Sequence, residues 1–165
     1  MQKIFLTVSP LLLLLLLFFY GLTPTAQAQK AIRPNVKGIA LGATYVKVTR
    51  RFGKPLSERD AGKDSCNGEM LELHYPGLVF TLDGETSLRY YVTVSIDVTS
   101  AKYPVAHGIS VGVSLAKVQS KFGRNGKLTK ETGGQKLSYS VKDGFADFYF
   151  RKNKLVRAVL RMNPC

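Results

Sequence analysis

The stretch "VKGIALGATYVKVTRRFGKP", residues 36–55, decides the fold because it nearly returns further along the chain. Residues 106–124 read "AHGISVGVSLAKVQSKFGR", and the shared positions are displaced by 70 residues. Seven positions match in residue type within sixteen residues: Gly38 with Gly108, Ile39 with Ile109, Gly42 with Gly112, Thr44 with Ser114, Val48 with Val118, Phe52 with Phe122 and Gly53 with Gly123. This agreement exceeds what composition alone would give, so the sequence predicts a tandem duplication.

Each copy carries signals for the start and the end of a short helix. Thr44 and Ser114 suit the N-cap position, because a hydroxyl group there accepts a hydrogen bond from a free backbone N–H. Glycine follows each helix pattern, where a left-handed C-terminal cap favours it. Between these signals, apolar residues recur at i, i+3 and i+7: Tyr45, Val48 and Phe52, then Leu115, Val118 and Phe122.

After each helix the hydrophobic pattern alternates with a period of two, which indicates strands. The predicted strands are residues 70–75, 78–83 and 88–98 in the first copy, and 136–141, 145–150 and 154–162 in the second. The predicted fold class is α+β, with two tandem repeats, each a short helix or helix pair packed on a three- to four-stranded antiparallel meander. Alternation assigns these residues to the helix side: Leu71, Leu73, Tyr75, Tyr90, Val92, Val94, Ile96, Phe148, Phe150, Val156, Ala158, Leu160 and Met162.

Residues 1–28 are predicted to be a signal peptide. Lys3 precedes an apolar run at residues 11–20, and "AQA" at residues 26–28 suits a peptidase that cleaves after Ala28. The apolar run is too short to favour a retained transmembrane helix, and a retained anchor is the alternative. We expect a bacterial protein that is periplasmic or secreted, with no transmembrane segment after removal of the signal.

Charge differs between the two halves of the predicted mature chain, which together form one compact domain in this interpretation. The first repeat, residues 29–99, carries ten Lys and Arg against eight Asp and Glu, a net charge of +2. The second repeat, residues 100–165, carries thirteen against three, a net charge of +10. This asymmetry suggests that one half meets an anionic partner, and the alternative is a solvated charged face with no partner.

The two cysteines, Cys66 and Cys165, are predicted to form a disulfide bond in an oxidising compartment. The bond would close a loop of about 100 residues, which is worth roughly 4–5 kcal/mol on the chain-entropy model. The alternatives are an intermolecular bridge through Cys165 or two free thiols.

The side of each sheet that the helices leave uncovered is available for water or for a partner. It mixes arginine with tyrosine, two residue types that are enriched at interface hot spots. The predicted binding residues are Arg89, Tyr91, Tyr149, Arg151, Arg157 and Arg161. Arginine would pair bidentately with carboxylate or phosphate, and tyrosine would supply rigid apolar contact.

No group of residues predicts catalysis, a metal site or a cofactor. His74 and His107 have no second histidine or cysteine nearby at the spacing of zinc ligands. The acidic stretch at residues 58–65 lacks the ligand pattern of a calcium loop, and we interpret it as a polar loop. The named roles of an active site cannot be filled, so we expect no enzymatic activity.

The repeated motif G-I-x-hydrophobic-G-x-[ST]-x-x-x-V-x-x-x-[FL]-G-x-P, followed by a meander, carries a family resemblance. It resembles the small exported domain shared by the SmpA/OmlA lipoproteins of the outer-membrane assembly machinery and by the secreted β-lactamase inhibitor proteins. The duplicated form is more similar to the inhibitors, and this resemblance implies two copies side by side that form an extended concave sheet. The chain has one cysteine in each repeat and no Trp, and no contact residue of the family is transferred to it.

These observations together predict an exported, non-enzymatic binding module. Its basic, tyrosine-containing sheet face would dock an acidic protein or an anionic envelope component such as a lipid or lipopolysaccharide. Export argues against nucleic acid as the partner, and we expect a monomer or a weak dimer. The alternative functions are a structural scaffold of outer-membrane or envelope assembly and a secreted enzyme inhibitor.

Overall fold

Two short helices and eight strands follow one another along the chain, and a computed structural model describes them over residues 33–63, 68–85 and 90–163. The elements, in chain order, are α1 (Tyr45–Phe52), β1 (Ser57–Lys63), β2 (Glu69–Tyr75), β3 (Leu78–Glu85), β4 (Tyr90–Val98), α2 (Leu115–Phe122), β5 (Lys127–Glu131), β6 (Gly134–Val141), β7 (Gly144–Arg151) and β8 (Lys154–Met162). A 3₁₀ turn at Ala106–Gly108 precedes α2.

The helices begin and end at the predicted residues. The side-chain oxygens of Thr44 and Ser114 accept hydrogen bonds from the backbone N–H three residues on, at 3.4 and 3.3 Å. Gly53 and Gly123 follow the helices with φ of 81° and 94°, a region that L side chains rarely enter. The predicted N-caps are therefore confirmed, and glycine ends both helices as predicted, but its ψ of −165° and 170° is not that of the predicted left-handed cap.

All eight strands belong to a single antiparallel sheet with the order β1-β2-β3-β4-β8-β7-β6-β5. Its centre is the pairing of β4 with β8, which runs from Ser95 opposite Arg161 to Val98 opposite Ala158. The predicted fold class, two tandem repeats that are each a short helix or helix pair on a three- to four-stranded antiparallel meander, is therefore wrong, because the strands form one sheet. The physical reason is that β4 and β8 would otherwise present rows of unpaired backbone N–H and C=O groups, and each satisfies the other.

Both helices pack on the same face of this sheet and share one hydrophobic core. The ring of Phe52 in α1 lies 5.1 Å from that of Phe80 in β3, and the ring of Phe122 in α2 lies 4.9 Å from that of Phe148 in β7. Core residues are in register across the central pair, where Ile96 lies opposite Leu160. The helices therefore cover one side of the sheet, and no described helix covers the other.

Two β-bulges change the strand phase that alternation predicts. The register of β3 and β4 shifts between Thr81 and Leu82, and as a result Tyr91 and Thr93 turn toward the helices. Thr93 is fully buried, and its hydroxyl donates a hydrogen bond to the backbone oxygen of Ala43 at 2.9 Å. In the part of β4 that precedes the bulge, the prediction of which residues face the helices is therefore wrong. A second bulge, between β7 and β8, leaves Val156 exposed instead of inward.

Each bulge lies next to a strand residue that forms backbone hydrogen bonds with the segment before a helix. Thr93 exchanges backbone hydrogen bonds of 2.7 and 2.8 Å with the two residues that precede the cap of α1. Leu155 makes the same pair of bonds, also 2.7 and 2.8 Å, with the two residues that precede the cap of α2. The extra residue in the strand re-aims its backbone, which is a common role of a bulge.

Two tyrosines fasten the ends of the helices to the sheet. The hydroxyl of Tyr75 donates to the backbone oxygen of Gly53 at 2.9 Å, and that of Tyr139 donates to the oxygen of Gly123 at 2.6 Å. Burial of Tyr75, with weaker repulsion from Tyr45, Glu58 and Tyr103, raises the pKa of its phenol to about 12.

We predict that Tyr75→Phe lowers the free energy of unfolding by about 1 kcal/mol at pH 7, because one buried hydrogen bond is lost. An unfolded tyrosine releases its proton near pH 10, whereas folded Tyr75 keeps it up to about 12, so wild-type stability falls as pH rises through this interval. Denaturant unfolding of both proteins at pH 7 to 11 tests this. The gap between them should narrow above pH 10, and a constant gap would contradict the assignment.

Candidate binding face

The structure brings together three of the six predicted binding residues, on the face of the sheet opposite the helices. Tyr149 of β7 lies directly across from Arg157 of β8, and Arg161 lies further along β8 on the same side. Arg151 is exposed at the end of β7. Tyr91 packs partly buried against the core, so its predicted place on the binding face is wrong. Arg89 lies outside the described residues.

We use the name open face for the outward residues of β4, β8, β7 and β6 around this trio: Ser95, Asp97, Arg157, Val159, Arg161, Phe145, Asp147, Tyr149, Lys136 and Ser138. At its centre Val159 stands in one cross-strand row between Asp97 and Asp147. Arg157 and Arg161 stand two residues before and after Val159 on the same strand. The open face therefore alternates carboxylates with guanidinium groups.

One row of the open face places an aromatic ring between two cations. Lys136, Tyr149 and Arg157 are neighbours across β6, β7 and β8. The Lys136 Nζ lies 5.9 Å, and the Arg157 guanidinium carbon 5.4 Å, from the centre of the Tyr149 ring. Both distances are within the range of cation–π attraction. A hydrogen bond to Glu131, with Nζ to Oε1 at 2.8 Å, raises the pKa of Lys136.

Arg157 directs two of its three side-chain nitrogens at Asp97. Its Nε donates to both carboxylate oxygens at 2.9 and 2.8 Å, and its Nη2 also donates to Oδ2. These hydrogen bonds raise the pKa of Arg157, with an opposing contribution from its desolvation. The pair joins β8 to β4 and therefore crosses the central pairing of the sheet.

Arg161 also lies over an aromatic ring, but its carboxylate partner is buried. Its Nε donates to Oδ2 of Asp147 at 2.9 Å, and its guanidinium carbon lies 4.8 Å from the centre of the Phe145 ring. The Asp147 side chain is only 2% exposed, and its Oδ1 has no hydrogen-bond partner among the described residues. The Arg161 side chain remains 45% exposed. A buried carboxylate thus holds an accessible guanidinium group over a ring.

Sequence reasoning missed Asp97, Asp147 and Phe145, which contact the arginines, and Lys136 with its partner Glu131. A carboxylate inside the apolar segment "FADFYF" was a usable signal, because a buried carboxylate requires a paired cation. The identity of that cation depends on cross-strand register, which local periodicity does not contain.

A cluster of exposed cations lies at the hairpin that joins β7 and β8. Arg151 and Lys154 are paired across its end, and Lys152 and Asn153 form the turn with φ of 47° and 60°. Two positive φ values are typical of the tight turns that fit a twisted hairpin. Ser114, the cap of α2, forms a backbone bridge with Lys154. Three of the thirteen cations of residues 100–165 therefore lie at this hairpin, at one end of the sheet.

The remaining surface offers little chemistry in the part of the chain that the structure describes. A cleft of about 410 Å³ is lined by Asp60, Gly62, Lys63, Glu69, Met70, Leu71 and Tyr91. Its carboxylates do not form a metal site, since no group of three or more potential metal ligands occurs within residues 33–63, 68–85 and 90–163. In the same residues no helix is long and apolar enough to cross a membrane.

Comparison with known proteins shows likeness of fold alone. No family model and no curated protein matches the chain. A solved structure of an extracellular protein that contains an SCP domain, from Bacillus anthracis, is similar with a TM-score of 0.54 and 14% identity. The match covers 74% of this chain and 44% of that one, so the chain spans less than half of that protein.

Cys66 and Cys165 lie outside the described residues, and their disulfide stays a prediction that the strand register makes testable. Gly68 before β2 and Asn163 after β8 lie at the same end of the sheet, and the two strands are three places apart, about 14 Å.

We predict a Cys66–Cys165 cross-linked peptide in a non-reducing digest of the protein produced in an oxidising compartment. Removal of the bond in Cys165→Ser should lower the free energy of unfolding by up to about 4 kcal/mol. A disulfide-linked dimer on a non-reducing gel, or two alkylated thiols in the mass spectrum, would contradict the intramolecular bond.

Proposed function

We propose that this chain is an exported, non-enzymatic binding protein whose open face docks an acidic protein. The observation that carries the proposal is the one-sided sheet, in which both helices cover the same face and leave the other to a line of cations stacked on rings. Export is supported by the signal-like residues 1–28 and by the extracellular neighbour. The resemblance to SmpA/OmlA and β-lactamase inhibitor proteins is part of the same proposal.

Charge gives the second line of support. Residues 100–165 carry a net charge of +10, and the hairpin cations lie next to the open face on β7 and β8. A field of one sign raises the rate of encounter with an oppositely charged partner, and arginine with tyrosine then supplies anchors at close range. Binding of this kind weakens as salt screens the long-range part.

Rigidity gives the third line of support. The rings of Tyr149 and Phe145 and the guanidinium groups of Arg157 and Arg161 are already held by ion pairs and ring contacts in the free chain. Side chains that are ordered before binding lose less conformational entropy when the partner arrives. Such a face suits a partner with a fixed pattern of groups.

That pattern favours a protein over an anionic lipid or lipopolysaccharide. Asp97 and Asp147 stand among the cations, so a uniformly anionic surface would meet carboxylates as well as guanidinium groups. An acidic protein can place its own carboxylates over the arginines and neutral or basic groups over the aspartates. Like-charge contacts across an interface cost several kcal/mol, which is how such patterns exclude the wrong partner.

We predict that Arg157→Gln/Arg161→Gln weakens binding to immobilised poly-L-glutamate by about tenfold or more in low salt. The matched control is Lys117→Gln/Lys121→Gln, which removes the same charge from exposed positions of α2 on the opposite face and should weaken binding by less than about threefold. Surface plasmon resonance at two salt concentrations measures both, with thermal unfolding as a check on folding.

Three results would contradict the proposal. Equal loss in both double variants would show that overall charge, not the open face, attracts the probe. Tighter binding to phosphatidylglycerol vesicles than to poly-L-glutamate would transfer the site to an anionic membrane. Binding that is insensitive to salt and to both variants would favour the structural scaffold.

A further inference from the structure

The two arginines of the open face use their donors in different ways. Arg157 gives Nε and Nη2 to Asp97, so one of its two terminal nitrogens is already shared with that carboxylate. Arg161 gives only Nε to Asp147, and among the described residues its two terminal nitrogens make no hydrogen bond. Both guanidinium groups rest on rings, those of Tyr149 and of Phe145. The two arginines therefore differ in how many terminal N–H donors remain free, and not in having a ring beneath the guanidinium group.

The partners of the two arginines also stand in different places. Asp97 is on β4, so its pair with Arg157 spans the central strand pairing and stabilises the contact between the halves of the sheet. Asp147 is on β7, the hairpin neighbour of β8, and it is nearly fully buried beneath Arg161. Because a buried carboxylate needs a paired cation, Asp147 restrains the position of Arg161 and leaves its outer edge in solvent.

From this asymmetry we propose that Arg161 is the residue that receives a carboxylate of the acidic partner, bidentately through Nη1 and Nη2, whereas Arg157 is a clamp between β4 and β8. The inference rests on the proposed function, since it assumes that the open face meets an acidic protein. Two parallel N–H···O bonds from a planar guanidinium match the geometry of a carboxylate, and a lysine ammonium cannot reproduce them. The ring of Phe145, 4.8 Å from the guanidinium carbon, supports the group from one side.

The ligand is a glutamate or aspartate side chain on a protein and not a phosphate group. Arg161 already has one carboxylate at 2.9 Å, that of Asp147. A phosphate group, which carries up to two negative charges, would be repelled more strongly by that carboxylate than a single carboxylate would be. A glutamate side chain needs only the outer edge of the guanidinium, which is the part left free.

The test compares two conservative variants, Arg161→Lys and Arg157→Lys, which keep the charge and remove the fork. The probe is an acetylated octapeptide with glutamate at alternate positions, and the control peptide carries glutamine instead. Arg161→Lys should weaken binding of the glutamate peptide about tenfold with an unchanged Tm. Arg157→Lys should lower Tm and leave the affinity within about twofold.

Arginine side-chain ¹⁵N–¹H NMR spectra give a direct readout. On addition of the glutamate peptide the Arg161 Nε–H signal should shift, and the Arg157 signal should stay in place. Equal loss of affinity in the two lysine variants, or a shift of Arg157 alone, would overturn the inference.

The outcomes also separate the inference from the proposal beneath it. If Arg161→Lys binds like wild type while Arg157→Gln/Arg161→Gln does not, the open face binds and the bidentate assignment is wrong. If wild type shows no preference for the glutamate peptide over the glutamine peptide, the acidic partner is wrong and the assignment falls with it.

Discussion

The pairing of β4 with β8 is the interaction on which the rest of the structure depends. Four residue pairs join the last strand of the first half to the last strand of the second, and Ile96 meets Leu160 at their buried centre. A second link ties the segments before the helices, where buried Val36 and Val105 form an antiparallel bridge. Each half alone has few core residues for its length, so a shared core is the physical reason for the joined sheet.

The same pairing builds the open face. Asp97 lies in the same cross-strand row as Val159 and Asp147 because β4 pairs with β8. The Arg157–Asp97 pair, with half-exposed groups, contributes less to stability than the backbone bonds beneath it, since exposed ion pairs are worth about 0–1 kcal/mol. Its greater effect is on geometry, because it fixes the Arg157 guanidinium group across the pairing of β4 with β8.

Local features of the fold could be predicted from the sequence, and relations between distant strands could not. The hydroxyl caps, the glycine stops and the turn residues act within a few positions, so Thr44 and Gly53 carry the needed information themselves. The side on which Tyr91 and Val156 lie depends on bulges that form where Thr93 and Leu155 bond the helix entries. Those bonds join residues that are far apart in the chain, which a period-two pattern does not record.

The site shows the same division. Tyr149, Arg157 and Arg161 were identified because they alternate with apolar residues, and two of their supports, Asp97 and Asp147, were missed because register decides their partners. The excess of positive charge follows from composition, but the pairing of Asp97 and Asp147 with the arginines of the open face does not. Net charge follows from composition alone, whereas the contacts of each charged residue depend on strand register.

Native-state hydrogen exchange of the backbone amides in Ser95–Val98 and Ala158–Arg161 tests the joined sheet most directly. The structure predicts that these amides are protected as strongly as those of β3 and β7 and open with them in one cooperative transition. Exchange at the β4–β8 pairing that is faster by orders of magnitude, or separate unfolding of the two halves, would contradict the single sheet and the open face built on it.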